Sequence, residues 1–341
     1  MAQGDKFIIR RERLDNNEEN FYMKKINYII HNFLKKCEAP PTESAFWILM
    51  NFLMNYVLIN VGRVLLNNLL VQENREKNFV LVSSKNMGDL LALYRSLNEL
   101  KYRNGFANIT LISDGMFETP LKALKVNDYH IVPFWKIIAM GKELQACPDR
   151  YPNIVQSAPW LLYGIENKNP HGVVPPLPCS VSEKSLKAIF PFSDMKGNTV
   201  ILSPYEQTVT NYGLKLLPME FWVMLANRLQ KHGFYVFTNC NGKTEHVIEG
   251  TTRFFPRMGE LAGSVQYAGY CVSMRSGFSD WISSAHLKKE MVLYPTRRFY
   301  EYYNLKMLWG KTDVFEYIYG ESELSVTDLV DMIVQYIIEG E

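Results

Sequence analysis

A glycine and an aspartate, Gly88 and Asp89, stand where the apolar run "NFVLVSS" (78–84) gives way to a stretch with Leu90, Leu93, Tyr94, Leu97 and Leu100 on one helical stripe. A carboxylate in a first helical turn is an ordinary start signal. The helix dipole also favours its ionised form, and an ionised carboxylate facing a ligand can take a proton from an attacking hydroxyl. A second stretch, "RSGFSD" (275–280), runs from a strand end into a helix start. Ser276 and Gly277 let the backbone approach an anion, the helix start offers free N–H groups, and Arg275 can grip a phosphate through two parallel hydrogen bonds. The same six residues would also make a plain strand–turn–helix junction with Asp280 in its first turn. Lys215, in the polar loop "TVTNYGLKLLP" (208–218), is a second cation, and "NCNGKTE" (239–245) is a turn able to fold over a base or ribose. An acid from one half of the chain and cations from the other suit displacement of a nucleotide diphosphate: a base for the nucleophile, positive charge for the leaving group.

Positioning these residues requires strands that end at them. Residues 1–76 read as helical: "FYMKKINYIIHNFLKK" has apolar residues at helical spacing, Pro40 and Pro41 interrupt, and Thr42 or Ser44 can cap the next helix. Strand and helix signals then alternate through "NITLIS" (108–113), a short helix near 117–125 and "YHIVPF" (129–134), the order of a parallel sheet. The Pro- and Gly-rich passage "NPHGVVPPLPCSVS" (169–182) reads as a linker. The pattern restarts with strands at 198–204, 234–239, 251–256, 270–275 and 290–295 and helices at 218–233, 259–268 and 278–289. Residues 325–339 form a last amphipathic helix, with Ser325 and Asp328 as a capping pair. The divisions expected are a helical segment at 1–76, a Rossmann-like domain at 77–175, a second at 176–310 and a helical tail at 311–341. In such sheets ligands bind beyond the carboxyl ends of the strands, which selects the loops 83–89, 204–217, 239–245 and 274–280.

With 341 residues, 47% hydrophobic and 21% charged, the chain is globular and large enough for two domains. A net charge of +2 gives no reason to expect nucleic acid. Five scattered cysteines without a C-x-x-C pair, and dispersed histidines, argue against a disulfide framework or a zinc site and for a reducing, cytoplasmic compartment. The uncharged stretch "AFWILMNFLMNYVLINVG" (45–62) has three asparagines that lipid would penalise, so it reads as a buried helix, with contact at a membrane surface as the other reading. The aromatic run "RRFYEYYNLKMLWG" (297–310) reads as a packed helix, or as a surface for stacking on sugar.

The residues resemble a known family. "SSKNMGDLLALYRSLNELK" is similar to the opening of the heptosyltransferase-like glycosyltransferases, family nine, and residues 199–296 are similar to its second half. There "KLLPMEFW" (215–222) fits the family's Lys-x-Trp-Pro helix start, "FPRMGELAGSVQYA" its G-x-x-x-L-x-E-L element, and "RSGFSD" its Asp-Ser-Gly-x-x-His loop. The resemblance implies an α/β fold of GT-B type: two Rossmann-like domains with parallel sheets, here behind an extra helical segment. It implies an inverting, metal-independent glycosyltransferase of hexosyl or heptosyl type, acting on a nucleotide-diphosphate sugar and a glycan or lipid-linked glycan acceptor in cell-surface polysaccharide synthesis, with no cofactor. Asp89 matches the general base. Thr210 and Lys215 match residues near the donor diphosphate, and Arg275, Ser276, Gly277 and Asp280 fall on the donor loop; Asn239 and Gly242 are the base or ribose candidates. The chain departs from the family at Arg275, where an acid stands, at Asp280, where histidine stands, and at Leu217, in place of tryptophan. Two other readings stay open: a sugar-nucleotide epimerase or hydrolase on the same architecture, and a non-catalytic protein whose helical leader binds a partner. Oligomers and peripheral membrane contact are compatible with each.

Overall fold

The structure is a computed structural model that describes residues 45–73, 77–82, 88–94, 97, 105, 108–157, 179–206, 214, 216–240 and 245–339. It is α/β with two parallel sheets. The first has strand order β3-β2-β1-β4, with β1 Asn78–Val82, β2 Ile109–Ser113, β3 Tyr129–Ile131 and β4 Ile154–Ser157. The second has order β10-β9-β8-β5-β6-β7, with β5 Thr199–Ser203, β6 Tyr235–Asn239, β7 Thr252–Phe254, β8 Gly269–Met274, β9 Lys289–Tyr294 and β10 Phe315–Ile318. Strands β5 and β8 are buried throughout, as the central strands of a sheet covered on both faces must be. Chain order reverses direction between β1 and β4 in one sheet and between β5 and β8 in the other. Those switch points are where parallel sheets open at their carboxyl ends. Asp89 follows β1 and Arg275 follows β8, so both sit beside a switch point.

The chain divides into two compact units. One unit comprises 1–74 and 132–151, the other 75–131 and 152–341. Within the first, the helix Ala45–Glu73 packs along the helix Phe134–Ala146, whose first residue is the last of the expected strand 129–134. Pro133 ends the extended run and stands at the N-cap of that helix. The crossing is close: a Cβ on Gly62 would lie 2.0 Å from the Ala139 carbonyl oxygen. Beside it the fully buried Glu143 Oε1 accepts from Arg63 Nε (3.1 Å), Arg150 Nη1 (2.7 Å) and the Tyr151 hydroxyl (3.2 Å). The expectation of a buried helix at 45–62 holds for one flank only, through Leu58 and Gly62; Phe52, Leu53, Tyr56 and Val57 are exposed.

Within the second unit the two sheets share one apolar core. Leu90, Leu91 and Leu93 of the helical residues 88–94, with Phe117, Leu121 and Leu124, belong to the same buried cluster as Phe190, Phe237, Phe254, Val265, Trp281 and Tyr294. The helix Glu118–Ala123 meets the turn Met258–Glu260, where a Cβ on Gly259 would touch Ala123 Cβ at 3.4 Å. A second cluster covers the other face of the larger sheet, under the helices Met219–Lys231 and Val326–Ile338. The expected tail at 311–341 is more than helix, because Phe315–Ile318 pairs with β9 and closes that edge.

Candidate functional site

The turn after β8 is built around a buried ion pair. Arg275 leaves the strand, and its guanidinium folds back over the short helix Gly277–Trp281. Nη2 donates to Asp280 Oδ1 (2.7 Å) and Nη1 to Asp280 Oδ2 (3.0 Å), the planar two-bond match that arginine and a carboxylate make. Nε donates to the Tyr303 carbonyl (2.6 Å) and Nη1 also to the Ser276 carbonyl (2.7 Å). Asp280 Oδ1 accepts in addition from the Trp309 indole N–H. Both charged side chains are only 5% exposed. Ser276 caps the helix by accepting from Phe278 N–H, and Ser279 reaches back to the Ser276 N–H (3.0 Å).

This geometry bears on two of the expected donor-loop residues. Arg275 was expected to hold a diphosphate, but its donors are committed to Asp280 and to two backbone carbonyls. Asp280, expected at the donor, is locked between Arg275 and Trp309. The pair shapes the turn, and Ser276, Gly277 and Phe278 are its half-buried residues. The sequence reading missed Tyr303 and Trp309 as partners. They lie in the aromatic run 297–310, whose helices Arg297–Tyr303 and Leu305–Trp309 are packed, as expected for that run. That run is braced in turn: Glu316 Oε1 on β10 accepts from the Tyr294 hydroxyl and from Leu305 N–H (2.7 Å). Burial pushes the Tyr294 phenol far above its ordinary range, with the Glu316 carboxylate adding to the shift and Arg275 opposing it.

The turn after β1 meets this loop. Gly88 opens the helical residues 88–94, and a Cβ there would lie 2.6 Å from Asp280 Oδ2. Asp89, the next residue, is buried at 6% exposure. Gly88, the residue before Asp89, therefore packs directly against the β8 turn. At the end of β6, Asn239 Nδ2 donates to Ser203 Oγ at the end of β5 (3.0 Å), tying two strand ends together. Glu206, three residues past β5 and buried, is a further acid at the β5–β8 switch point. Burial pushes the nearby Tyr319 phenol upward, and the Glu206 charge adds to it. Thr210, Lys215 and Gly242 lie outside the described residues. Among the described residues no group of three or more His, Cys, Asp and Glu side chains is disposed to hold a metal ion.

The two parallel sheets match the GT-B class of fold. The chain has the fold of the E. coli ADP-heptose LPS heptosyltransferase II structure, at TM-score 0.51 and 13% identity over 77% of this chain and 99% of that one. A glycosyl transferase family 9 structure from Veillonella parvula DSM 2008 gives TM-score 0.49 and 11% identity, covering 78% of this chain and 96% of that one. An E. coli heptosyltransferase with ADP gives TM-score 0.44 and 14% identity, covering 77% and 100%. No family model matches the chain. No curated protein matches it either.

Proposed function

We propose that this chain is an inverting glycosyltransferase that moves a sugar from a nucleotide diphosphate to an acceptor hydroxyl, in the assembly of a cell-surface glycan. The observation that supports the reading is the contact of Gly88, the residue before Asp89, with Asp280 of the β8 turn. Asp89 takes the proton from the acceptor hydroxyl. The freed oxygen attacks the anomeric carbon, the bond to the diphosphate oxygen breaks with its electron pair, and the nucleotide diphosphate departs. Lys215, Thr210 and the backbone at Ser276 and Gly277 stabilise that charge without a metal. Arg275 and Asp280 act as positioning residues: they fix the turn and touch no substrate. Asn239 and the loop to Gly242 border the base or ribose.

The test pairs two measurements. A thermal-shift screen of nucleotide diphosphates and nucleotide sugars identifies the donor nucleotide, since a ligand that binds only the folded form raises the melting point. With that donor, Asp89→Asn is expected to lower turnover by ~10²-fold or more while keeping the shift. A variant retaining most of its turnover removes Asp89 as base. A wild-type chain unmoved by every nucleotide diphosphate overturns the transferase reading.

A further inference from the structure

The run that braces the β8 turn is fastened to the larger sheet beside an acid that makes no hydrogen bond. Glu290, on β9, is fully buried, and among the described residues neither of its carboxylate oxygens has a hydrogen-bond partner. Lys311 Nζ lies 3.2 Å from Oε2, but it donates to the Ala285 carbonyl (2.7 Å) and stands 3.3 Å from Asp313 Oδ1. Lys311 is two residues past the helix Leu305–Trp309, and its N–H donates back to the Leu305 carbonyl (3.4 Å). The same run holds the turn at two points. The Tyr303 carbonyl accepts from Arg275 Nε (2.6 Å), and the Trp309 indole N–H donates to Asp280. The stretch 303–313 therefore joins the β8 turn to Glu290.

We infer that Glu290 is a proton-operated latch: with its proton the stretch 303–313 stays shut on β9 and holds the β8 turn, and without it the stretch loosens and frees the turn. A neutral carboxyl sits in an apolar place at modest cost. A carboxylate without a hydrogen bond is drawn to water, and an opening of the stretch admits water to it. The groups around Glu290 keep that sign. Lys311 attracts the carboxylate, while Asp313 beside it and Glu316 on β10 repel it. Cys271 lies opposite on β8, and the Tyr336 hydroxyl of the last helix donates to the Glu290 carbonyl (3.1 Å). Burial pushes both of these groups above their ordinary ranges, so they stay neutral. His286 Nδ1, on the exposed side, is 3.8 Å from Asp313. Burial raises Glu290 to about 7, so the shut form holds the proton more tightly than an open form in which Glu290 meets water. Opening is hardest below pH 4.5 and eases as pH rises to about 7, by ~300-fold across the window.

The latch would act whatever reaction the turn serves, and amide exchange of the full chain tests it without a substrate. Protection factors are read on peptides covering 277–281 and 303–313 from about pH 5.5 to about pH 8. Protection in both is expected to fall by ~10-fold or more as pH rises. The fall should persist unchanged in low urea, because a local opening exposes little surface. Glu290→Gln copies the protonated form and is expected to keep the low-pH protection throughout. Lys311→Met removes the pull that lowers Glu290 and is expected to move the fall to higher pH. His286→Gln is expected to leave the profile as it is. Wild-type protection that does not vary with pH overturns the inference, as does a profile that survives Glu290→Gln or vanishes with His286→Gln. A fall with the urea dependence of β5 and β6 also overturns it, since the whole unit would then be opening and not the stretch.

Discussion

At the scale of single residues, the contact between Gly88 and Asp280 decides more than either residue does alone. An alanine at 88 would place its Cβ 2.6 Å from Asp280 Oδ2, and that carboxylate is fixed by Arg275 and Trp309. The oxygen cannot swing aside without breaking a buried ion pair, so the strain passes to the backbone ahead of Asp89. Gly88→Ala is therefore expected to cost ~1–3 kcal/mol in urea denaturation and to lower turnover more than affinity for nucleotide. Asp280→Asn tests the pair directly. It keeps the shape but leaves a buried guanidinium without its charge partner, at ~3–5 kcal/mol. Part of this site was legible in sequence and part was not. Asp89, Ser276 and Gly277 stand at junctions where strand periodicity turns into helix periodicity, which marks them before any coordinates exist. The partners of Arg275 gave no such signal. A carboxylate five residues on becomes a ligand only once the short helix has turned, and a carbonyl at 303 and an indole at 309 arrive from a separate part of the chain.

At the scale of elements, local chemistry was read where it is local. Ser325 and Asp328 form the expected capping pair: Ser325 Oγ accepts from Asp328 N–H (3.2 Å) and donates to its carboxylate (2.7 Å). Ser325→Ala should cost ~1 kcal/mol of stability, read from the shift in urea midpoint. Elements whose pattern is brief or polar escaped. Strand β4, "IVQS", is four residues long with two polar side chains, and β10, "FEYI", is an edge strand carrying Glu316. Their pairing with β1 and β9 supplies what periodicity over four residues cannot. The strand interior holds a feature that sequence would discourage. Glu290 on β9 is fully buried opposite Cys271 on β8, with the buried Lys311 Nζ 3.2 Å from its carboxylate. Burial pushes Glu290 up to about 7, against the lowering pull of Lys311. The folded state thus binds this proton more tightly than the unfolded chain does. The resulting stability is fully present below pH 4.5 and is lost as pH rises to about 7. Glu290→Gln should flatten that slope, and the wild-type decline across the window should reach ~3 kcal/mol in urea melts taken at successive pH values.

At the scale of the whole second unit, a Pro-rich passage reads as a linker, and the residues on either side of it share one buried cluster. The passage itself says nothing of what lies on either side of it. The residues that join the sheets are ordinary leucines and phenylalanines, indistinguishable in sequence from those that fill a private core. Leu121, on the helix after β2, is fully buried in the cluster that also holds Val265 and Trp281 from the larger sheet's side. Close glycine contacts at 88 and 259 allow the backbones to approach there. If the two sheets fold as one cooperative body, a cavity opened beside the smaller sheet must weaken the larger one as well. Leu121→Ala should cost ~2–5 kcal/mol. Amide exchange should then quicken by a similar factor in β1 and β2 and in β5 and β8, because global opening is the shared route to exchange in core strands. Faster exchange confined to β1 and β2 would mean that the sheets unfold independently. The contact of Gly88 with the β8 turn would then be one the unit could open and close, instead of a fixed part of its core.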